Sequence, residues 1–249
     1  MDIVKKIKSI ATRLFIWSKE HRWGGVRYFY INNNSPVLLI IFSGFGSDDH
    51  RVYNYIKSLI QLKCDKVYIL DNWGYKGSYY WFENGMSYPE ERVTLFINQF
   101  VKNKKYKKVC TAGSSKGGTC ALYYGLLCNA NEIYAGACQY RIGNYLSIPI
   151  HQKIMEAMMG SGVGVDKIEL LNNKLKNVIY NRINPDVRIN LQYSKVEQEK
   201  TYQTDMSYMI DDLKANGYSI SEKEESFSKH ADIGYYFPGY VIENIKNEN

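Results

Sequence analysis

Val109-Cys110-Thr111-Ala112-Gly113-Ser114-Ser115-Lys116-Gly117-Gly118-Thr119 reads as a short β-type run that ends in small residues and bends through Gly-x-Ser-x-Gly. It then enters Thr119–Tyr124, a helix-forming segment. This strand–turn–helix context is what a nucleophile elbow requires, because the serine of such a motif sits in a strained backbone conformation at a sharp bend. In this register the presented hydroxyl belongs to Ser115, not Ser114. Gly113 and Gly117 leave room where a Cβ would collide with a neighbouring strand or helix. A glycine-rich turn, or a phosphate cradle of backbone N–H groups at a helix start, uses similar residues. A Walker-type loop is excluded by spacing, since Lys116 precedes the glycine pair.

An elbow needs a sheet around it. Val37–Phe42 is continuously apolar, as expected of a strand covered on both faces. It runs into Ser43-Gly44-Phe45-Gly46-Ser47, with a helix expected from about Asp48. In a hydrolase sheet this loop supplies one backbone donor to an oxyanion hole, so Phe45 or Gly46 is the candidate, with the Lys116 N–H as second donor. Val26–Ile31 is strand-like and is separated from Val37–Phe42 by Asn32-Asn33-Asn34-Ser35-Pro36, a strong turn signal. Further strands are expected at Lys66–Leu70, Glu132–Cys138 and Val187–Tyr193, with a last one starting at Gly217–Ile220. Helices are expected from Pro89-Glu90-Glu91 and from Ala231 onward. The pattern predicts an α/β fold of the α/β-hydrolase type, with a mainly parallel sheet flanked by helices. Residues 143–185, two helical patterns around Gly160-Ser-Gly-Val-Gly164, are expected as a helical cap insertion in a single domain over 26–249.

Residues 1–25 form a separate feature. Ile3, Ile7, Ile10 and Leu14 recur at helical spacing with Lys5, Lys6, Lys8 and Arg13 on other faces, which predicts a basic amphipathic helix. Packing on the domain and peripheral contact with an anionic membrane surface are both open to it. The loop Gly74–Phe82 is dense in aromatics and glycine and is expected at the surface, stacking on sugar rings or on its own side chains.

The 249 residues carry a formal charge of +7 and are 45% hydrophobic, enough for a sizeable core and suited to an anionic partner. Part of the charge, Lys102–Lys108, precedes the elbow strand, where a solvated loop is expected. The five cysteines lack Cys-x-x-Cys pairs and zinc spacing, so reduced thiols in a cytoplasmic protein and no metal centre are expected. No secretory signal pattern is seen, no apolar run approaches a membrane span, and no nucleic-acid-binding motif accompanies the charge.

An activated serine needs a base and an acid to orient it. Of His21, His50, His151 and His230, only His230 lies between the last expected strand and the final helix. The acid belongs in the loop after Val187–Tyr193, where Glu197 is the first candidate and Glu199 the second; Asp205 reads as a helix-start residue. Ser115…Glu197…His230 keeps the Ser…Asp/Glu…His order of the hydrolase fold. Arg141, at the end of the strand beside the elbow, is placed to hold a phosphate or carboxylate, or to make a surface ion pair.

Gly113-Ser-Ser-Lys-Gly-Gly118, Phe42-Ser-x-Phe45, Gly77-Ser-Tyr-Tyr80, Gln139-x-Arg141 and a histidine before the last helix together resemble a bacterial family. It is the set of α/β-hydrolase-fold proteins around the serogroup A meningococcal capsule O-acetyltransferase, with the accessory-secretion adhesin acetylation proteins as more distant relatives. The resemblance spans most of the chain from about Ile40. It implies acetyl transfer from acetyl-CoA, a co-substrate with no bound cofactor, to a sugar hydroxyl of a capsular or other surface polysaccharide through an acetyl-serine. It also implies Ser115 as nucleophile, His230 as base, Glu197 in place of the expected aspartate, and Gln139 with Arg141 in substrate binding. An esterase with the same residues and a non-catalytic subunit of a glycan-assembly or secretion complex are the competing expectations.

Overall fold

The computed structural model describes residues 18–46 and 51–246. Eight strands form one sheet: β1 (Glu20–Trp23), β2 (Val26–Ile31), β3 (Val37–Phe42), β4 (Asp65–Leu70), β5 (Lys108–Ser114), β6 (Glu132–Gly136), β7 (Arg188–Ser194) and β8 (Ser219–Glu225). Their order is β1-β2-β4-β3-β5-β6-β7-β8. The β1–β2 and β2–β4 pairs are antiparallel, and every pair from β4 through β8 is parallel. The elbow strand is therefore central, between β3 and β6, as the unbroken apolar runs predict.

Alternate residues of the strands feed two cores. Leu38, Ile40, Val67, Ile69, Ile133, Ala135, Ile189 and Leu191 face helices α2 (Tyr88–Lys104), α3 (Lys116–Leu127), α6 (Val165–Tyr180) and α7 (Ser207–Ala215). Leu39, Ile41, Tyr68, Cys110, Ala112 and Tyr134 face a short helix α1 (Ile56–Leu59) and the C-terminal helix α8 (Ile233–Lys246). Removing one such buried leucine or isoleucine side chain costs about 2–5 kcal/mol, so the in-out alternation fixes each strand's register. The outer strand β8 is mostly exposed and carries Glu222, Lys223, Glu224 and Glu225, a charged edge that discourages pairing with another chain.

The structure corrects three expectations. Residues 1–17, most of the basic helix expected over 1–25, lie outside the described residues, but Glu20–Trp23 is a strand. Gly24 and Gly25 both have positive φ (53° and 91°) and close a tight hairpin from β1 into β2, with Trp23 opposite Val26. The helix expected from Asp48 begins only at Ile56; residues 47–50, with His50, lie outside the described residues, and 51–54 have no regular structure. The aromatic segment expected at the surface is core: Tyr79, Tyr80 and Trp81 have no exposed area. The Tyr124 hydroxyl donates to the Tyr80 carbonyl at 2.7 Å and the Tyr80 hydroxyl to that of Ile69 at 2.9 Å, so the polar groups of Tyr80 are satisfied inside, whereas the Tyr79 hydroxyl and the Trp81 indole N–H have no partner among the described residues.

Within residues 143–185 the chain forms α4 (Ile142–Leu146), one 3-10 turn (Pro149–His151), α5 (Gln152–Met159) and α6. Buried Leu171, Leu175 and Ile179 of α6 pack in the same core as α3 and α7, whereas Asn144, Tyr145, Ile148 and His151 line a cleft at the C-terminal ends of the parallel strands. Among the described residues no helix is long and apolar enough to cross a membrane.

Candidate active site

The bend after β5 is built by close backbone approach. A Cβ on Gly113 would lie 2.2 Å from the Gly117 carbonyl oxygen, and one on Gly117 would lie 2.6 Å from that of Phe42. Neither could be accommodated without moving backbone. The bend leaves Ser115 at φ 52°, ψ −128°, a conformation costing about 1–3 kcal/mol for a residue with a side chain. The Ser115 N–H donates to the Gly136 carbonyl at 2.7 Å, and its own carbonyl accepts from Gly118 and Thr119, which locks the strained residue at the start of α3. Ser114 faces elsewhere: its hydroxyl shares a hydrogen bond with that of Tyr55.

His230 opens a 3-10 turn between β8 and α8. Its Nε2 is 2.8 Å from Ser115 Oγ, and its Nδ1 is 3.2 Å from Glu197 Oε1. The loops that bring these groups together are fastened to each other. Ser194 Oγ donates to the Phe227 carbonyl (2.7 Å), Gln198 N–H to that of Ser228 (2.9 Å), and His230 N–H to Glu199 Oε2 (2.9 Å). The two candidate acids thus divide the work: Glu197 meets the imidazole, and Glu199 holds the backbone beneath it. Glu197 is 3% exposed and also accepts the Thr201 N–H at 3.0 Å. Burial by itself would raise its carboxyl, but hydrogen bonds from His230 and Thr201 outweigh burial and hold it below the usual carboxylate range. With Glu197 an ionised acceptor, the hydrogen-bonding arrangement that satisfies all three groups has Nδ1–H donating to Glu197. Nε2 is then left to accept the Ser115 hydroxyl proton.

Gln139 and Arg141 follow β6 and both line the same cleft, which has a volume of about 530 Å³. Gln139 Nε2 lies 3.2 Å from Ser115 Oγ and 3.4 Å from His230 Nε2. The Arg141 guanidinium donates to the Thr204 carbonyl through Nε (3.1 Å) and Nη2 (2.6 Å) and stacks over the Tyr208 ring. It is thus partly committed to the protein, and its anchorage is neither of the two expected roles. Asp205, expected to start a helix, instead accepts the backbone N–H groups of Tyr140 (2.7 Å) and Arg141 (2.8 Å) with one buried carboxylate oxygen. The reason is position: the chain enters the helix at Thr201, one turn earlier, so Asp205 points inward to the loop after β6.

Of the two candidate loop donors, the Gly46 N–H is committed to the Lys76 carbonyl at 2.8 Å, which removes it as an oxyanion donor. No hydrogen bond to a described residue occupies the N–H of Phe45 or of Lys116. The Lys116 side chain turns inward. Its Nζ lies 2.7 Å from Asp71 Oδ2, with neither side chain more than 1% exposed, among the rings of Phe45, Tyr79 and Tyr80. Asp71 was legible only as an acid at the C-terminal end of a strand, the usual ligand side of such sheets. Thr201, 3.2 Å from His230 Nδ1, carried no signal in the sequence; His151, stacked on Phe45 and tilted against Tyr145, was visible there only as a histidine outside the position of the base. Among the described residues no group of His, Cys, Asp and Glu could hold a metal ion. Cys64, Cys110, Cys120 and Cys138 are buried free thiols, each with its pKa raised by burial.

Strand order and connectivity define an α/β-hydrolase-like protein with the elbow serine at the centre of its sheet. No protein-family model matches the chain, and no curated protein sequence matches it. Among solved structures it is similar to the capsule O-acetyltransferase of Neisseria meningitidis serogroup A, with a TM-score of 0.74 at 20% identity, over 91% of this chain and 92% of that one. A mutant of that enzyme has been solved in complex with CoA. The Glycosylation Associate Protein (Gap123) complex from Streptococcus agalactiae gives a TM-score of 0.75 at 17% identity, over 92% of this chain and 46% of that one. FphF, a fluorophosphonate-binding serine hydrolase of Staphylococcus aureus, gives 0.60 at 13% identity over 90% and 95%. The fold is thus one shared by an acetyltransferase and by hydrolases.

Proposed function

We propose that the chain is a serine-dependent O-acetyltransferase that moves acetyl from acetyl-CoA to a hydroxyl of a bacterial capsular or other surface polysaccharide. The observation that carries this reading is the hydrogen-bonded chain from Ser115 Oγ through His230 to Glu197. Its support is the fold shared with a capsule O-acetyltransferase, together with the sequence blocks that resemble that family.

In this reading Ser115 Oγ attacks the thioester carbonyl while its proton passes to His230 Nε2. Glu197 keeps the imidazole oriented and stabilises the imidazolium, without taking the proton itself. The N–H groups of Lys116 and Phe45 donate to the developing oxyanion, a term worth about 2.7–4 kcal/mol per donor in a well-studied protease. Collapse breaks the carbon–sulfur bond, and His230 returns its proton to the departing thiolate. A sugar hydroxyl then gives its proton to Nε2 and attacks the acetyl-serine; the carbon–Oγ bond breaks, and the proton restores Ser115.

Asn144, Tyr145, Ile148 and His151 line the cleft, and in this reading that part of the 143–185 segment acts as the cap that selects the acceptor, whereas α6 belongs to the core. A basic chain suits a polyanionic acceptor, with Arg141 at the cleft wall. In this reading the enzyme works in the cytoplasm, with its N-terminal residues either packed on the domain or in peripheral contact with the membrane. An esterase using the same groups with water is the second reading, favoured by the likeness to serine hydrolases. Incubation with labelled acetyl-CoA and candidate glycans tests the proposal: label on glycan supports transfer, and label only in free acetate supports the esterase.

A further inference from the structure

Gln139 occupies an unusual place for an amide. Its side chain is 1% exposed, and its nitrogen faces both reacting atoms of the site, Ser115 Oγ at 3.2 Å and His230 Nε2 at 3.4 Å. The stem that delivers it is rigid: its carbonyl accepts the Thr119 hydroxyl at 2.7 Å, and the next two N–H groups are held by Asp205. The amide oxygen is not held, since Gln139 Oε1 is buried with no hydrogen-bond partner among the described residues. Turning the amide from Ser115 towards His230 therefore breaks no other bond.

We propose that Gln139 is a specificity-determining residue that shields the base nitrogen from water once Ser115 is acetylated, favouring transfer over hydrolysis. This rests on the acetyl-serine reading above. In the resting site the Ser115 hydroxyl donates to His230 Nε2 and so occupies its lone pair. Acetylation removes that proton from Oγ, and the Nε2 lone pair then faces the amide N–H already beside it. Both outcomes need that lone pair. A water or an acceptor hydroxyl must give its proton to Nε2 as its oxygen bonds to the acetyl carbon. The carbon–Oγ bond then breaks, and the proton passes to Oγ, releasing acetate or the new ester. Either nucleophile must first displace the amide. A lone water attacking there leaves the displaced N–H without an acceptor, whereas a polyol lying in the 530 Å³ cleft carries a neighbouring hydroxyl on which that N–H can re-form its bond, so only hydrolysis bears the full loss.

The test uses p-nitrophenyl acetate as acyl donor, so that nitrophenolate release reads acylation of Ser115 independently of later steps. Deacylation is followed as free acetate and, with glycerol added, as acetylglycerol, for the wild type and for Gln139→Leu. Losing one neutral hydrogen bond at the base should speed acetate release by about three- to tenfold and raise the acetate-to-acetylglycerol ratio. Simple loosening of the site would slow both products together. Acetate release that is unchanged or slower, or both products rising in step, overturns the proposal. Gln139→Met provides the same reading if the leucine variant does not fold. Failure to form any acetyl-enzyme in the wild type would overturn the acetyl-serine reading itself, a result separate from a normal burst with unchanged partition.

Discussion

Lys116 Nζ lies 2.7 Å from Asp71 Oδ2, sealed from solvent, and the pair joins the first residue of the elbow helix to the end of a strand two places away. The same carboxylate oxygen accepts the N–H groups of Ser78 (2.7 Å) and Tyr80 (3.2 Å). The ion pair thus clamps the buried aromatic loop, and Phe45 with it, against the backbone that presents Ser115.

Breaking this pair should destabilise the whole elbow. Asp71→Asn and Lys116→Met should each lose about 3–5 kcal/mol, because each leaves a buried charge without its partner. The double variant should be less damaged than the sum of the two. Guanidinium unfolding at neutral pH measures this; single variants as stable as the wild type would mean the charges find other partners.

The division between the two glutamates predicts unequal kinetics. Glu197→Gln should keep the fold and lower turnover by roughly 10⁴-fold, the loss seen for an Asp-to-Asn change in a serine-protease triad. Glu199→Gln only weakens the hydrogen bond to the His230 backbone N–H, which the amide oxygen can still accept, and should cost about tenfold or less. Steady-state kinetics with acetyl-CoA checks the pair, and a reversed ranking would move the acid role to Glu199.

Glu197 also links stability to pH. Its folded-state pKa is depressed below the unfolded value, so its contribution is present in full above the ordinary carboxylate range. That contribution is lost as pH falls through the depressed folded value. The melting temperatures of wild type and Glu197→Gln should therefore differ most near neutrality and converge in acid. A gap that stays constant with pH would show that Glu197 is not ionised in the folded protein.

The parallel sheet was legible because apolar runs such as Val37–Phe42 report burial on both faces directly. The order Ser115, Glu197, His230 was legible because the fold fixes which loops face each other. What escaped depends on contacts between distant segments. Tyr79, Tyr80 and Trp81 look like a surface loop until Asp71 and Tyr124 are seen to bind the N–H and carbonyl of Tyr80. Asp205 looks like a cap until the helix is seen to start one turn earlier. The β1–β2 hairpin was hidden because the helix read from Ile3, Ile7, Ile10 and Leu14 was extended over 1–25, across Gly24-Gly25, two glycines that a turn reading would have recognised.

The glycine pair of the elbow makes a separate claim. Gly113→Ala would drive a Cβ to within 2.2 Å of the Gly117 carbonyl, so the variant should fail to fold or lose several kcal/mol, well beyond the loss of about 1 kcal/mol typical of point changes. Thermal melting beside the wild type checks it. A stable, active Gly113→Ala protein would contradict the tight bend.

The central claim is that Ser115 carries the acetyl group. The most direct measurement is peptide mass spectrometry after brief incubation with acetyl-CoA and acid quenching, on wild type, Ser114→Ala and Ser115→Ala. An acetyl adduct on the elbow peptide of the wild type and Ser114→Ala, absent from Ser115→Ala, is the expected result. An adduct that survives in Ser115→Ala and disappears in Ser114→Ala would contradict the account.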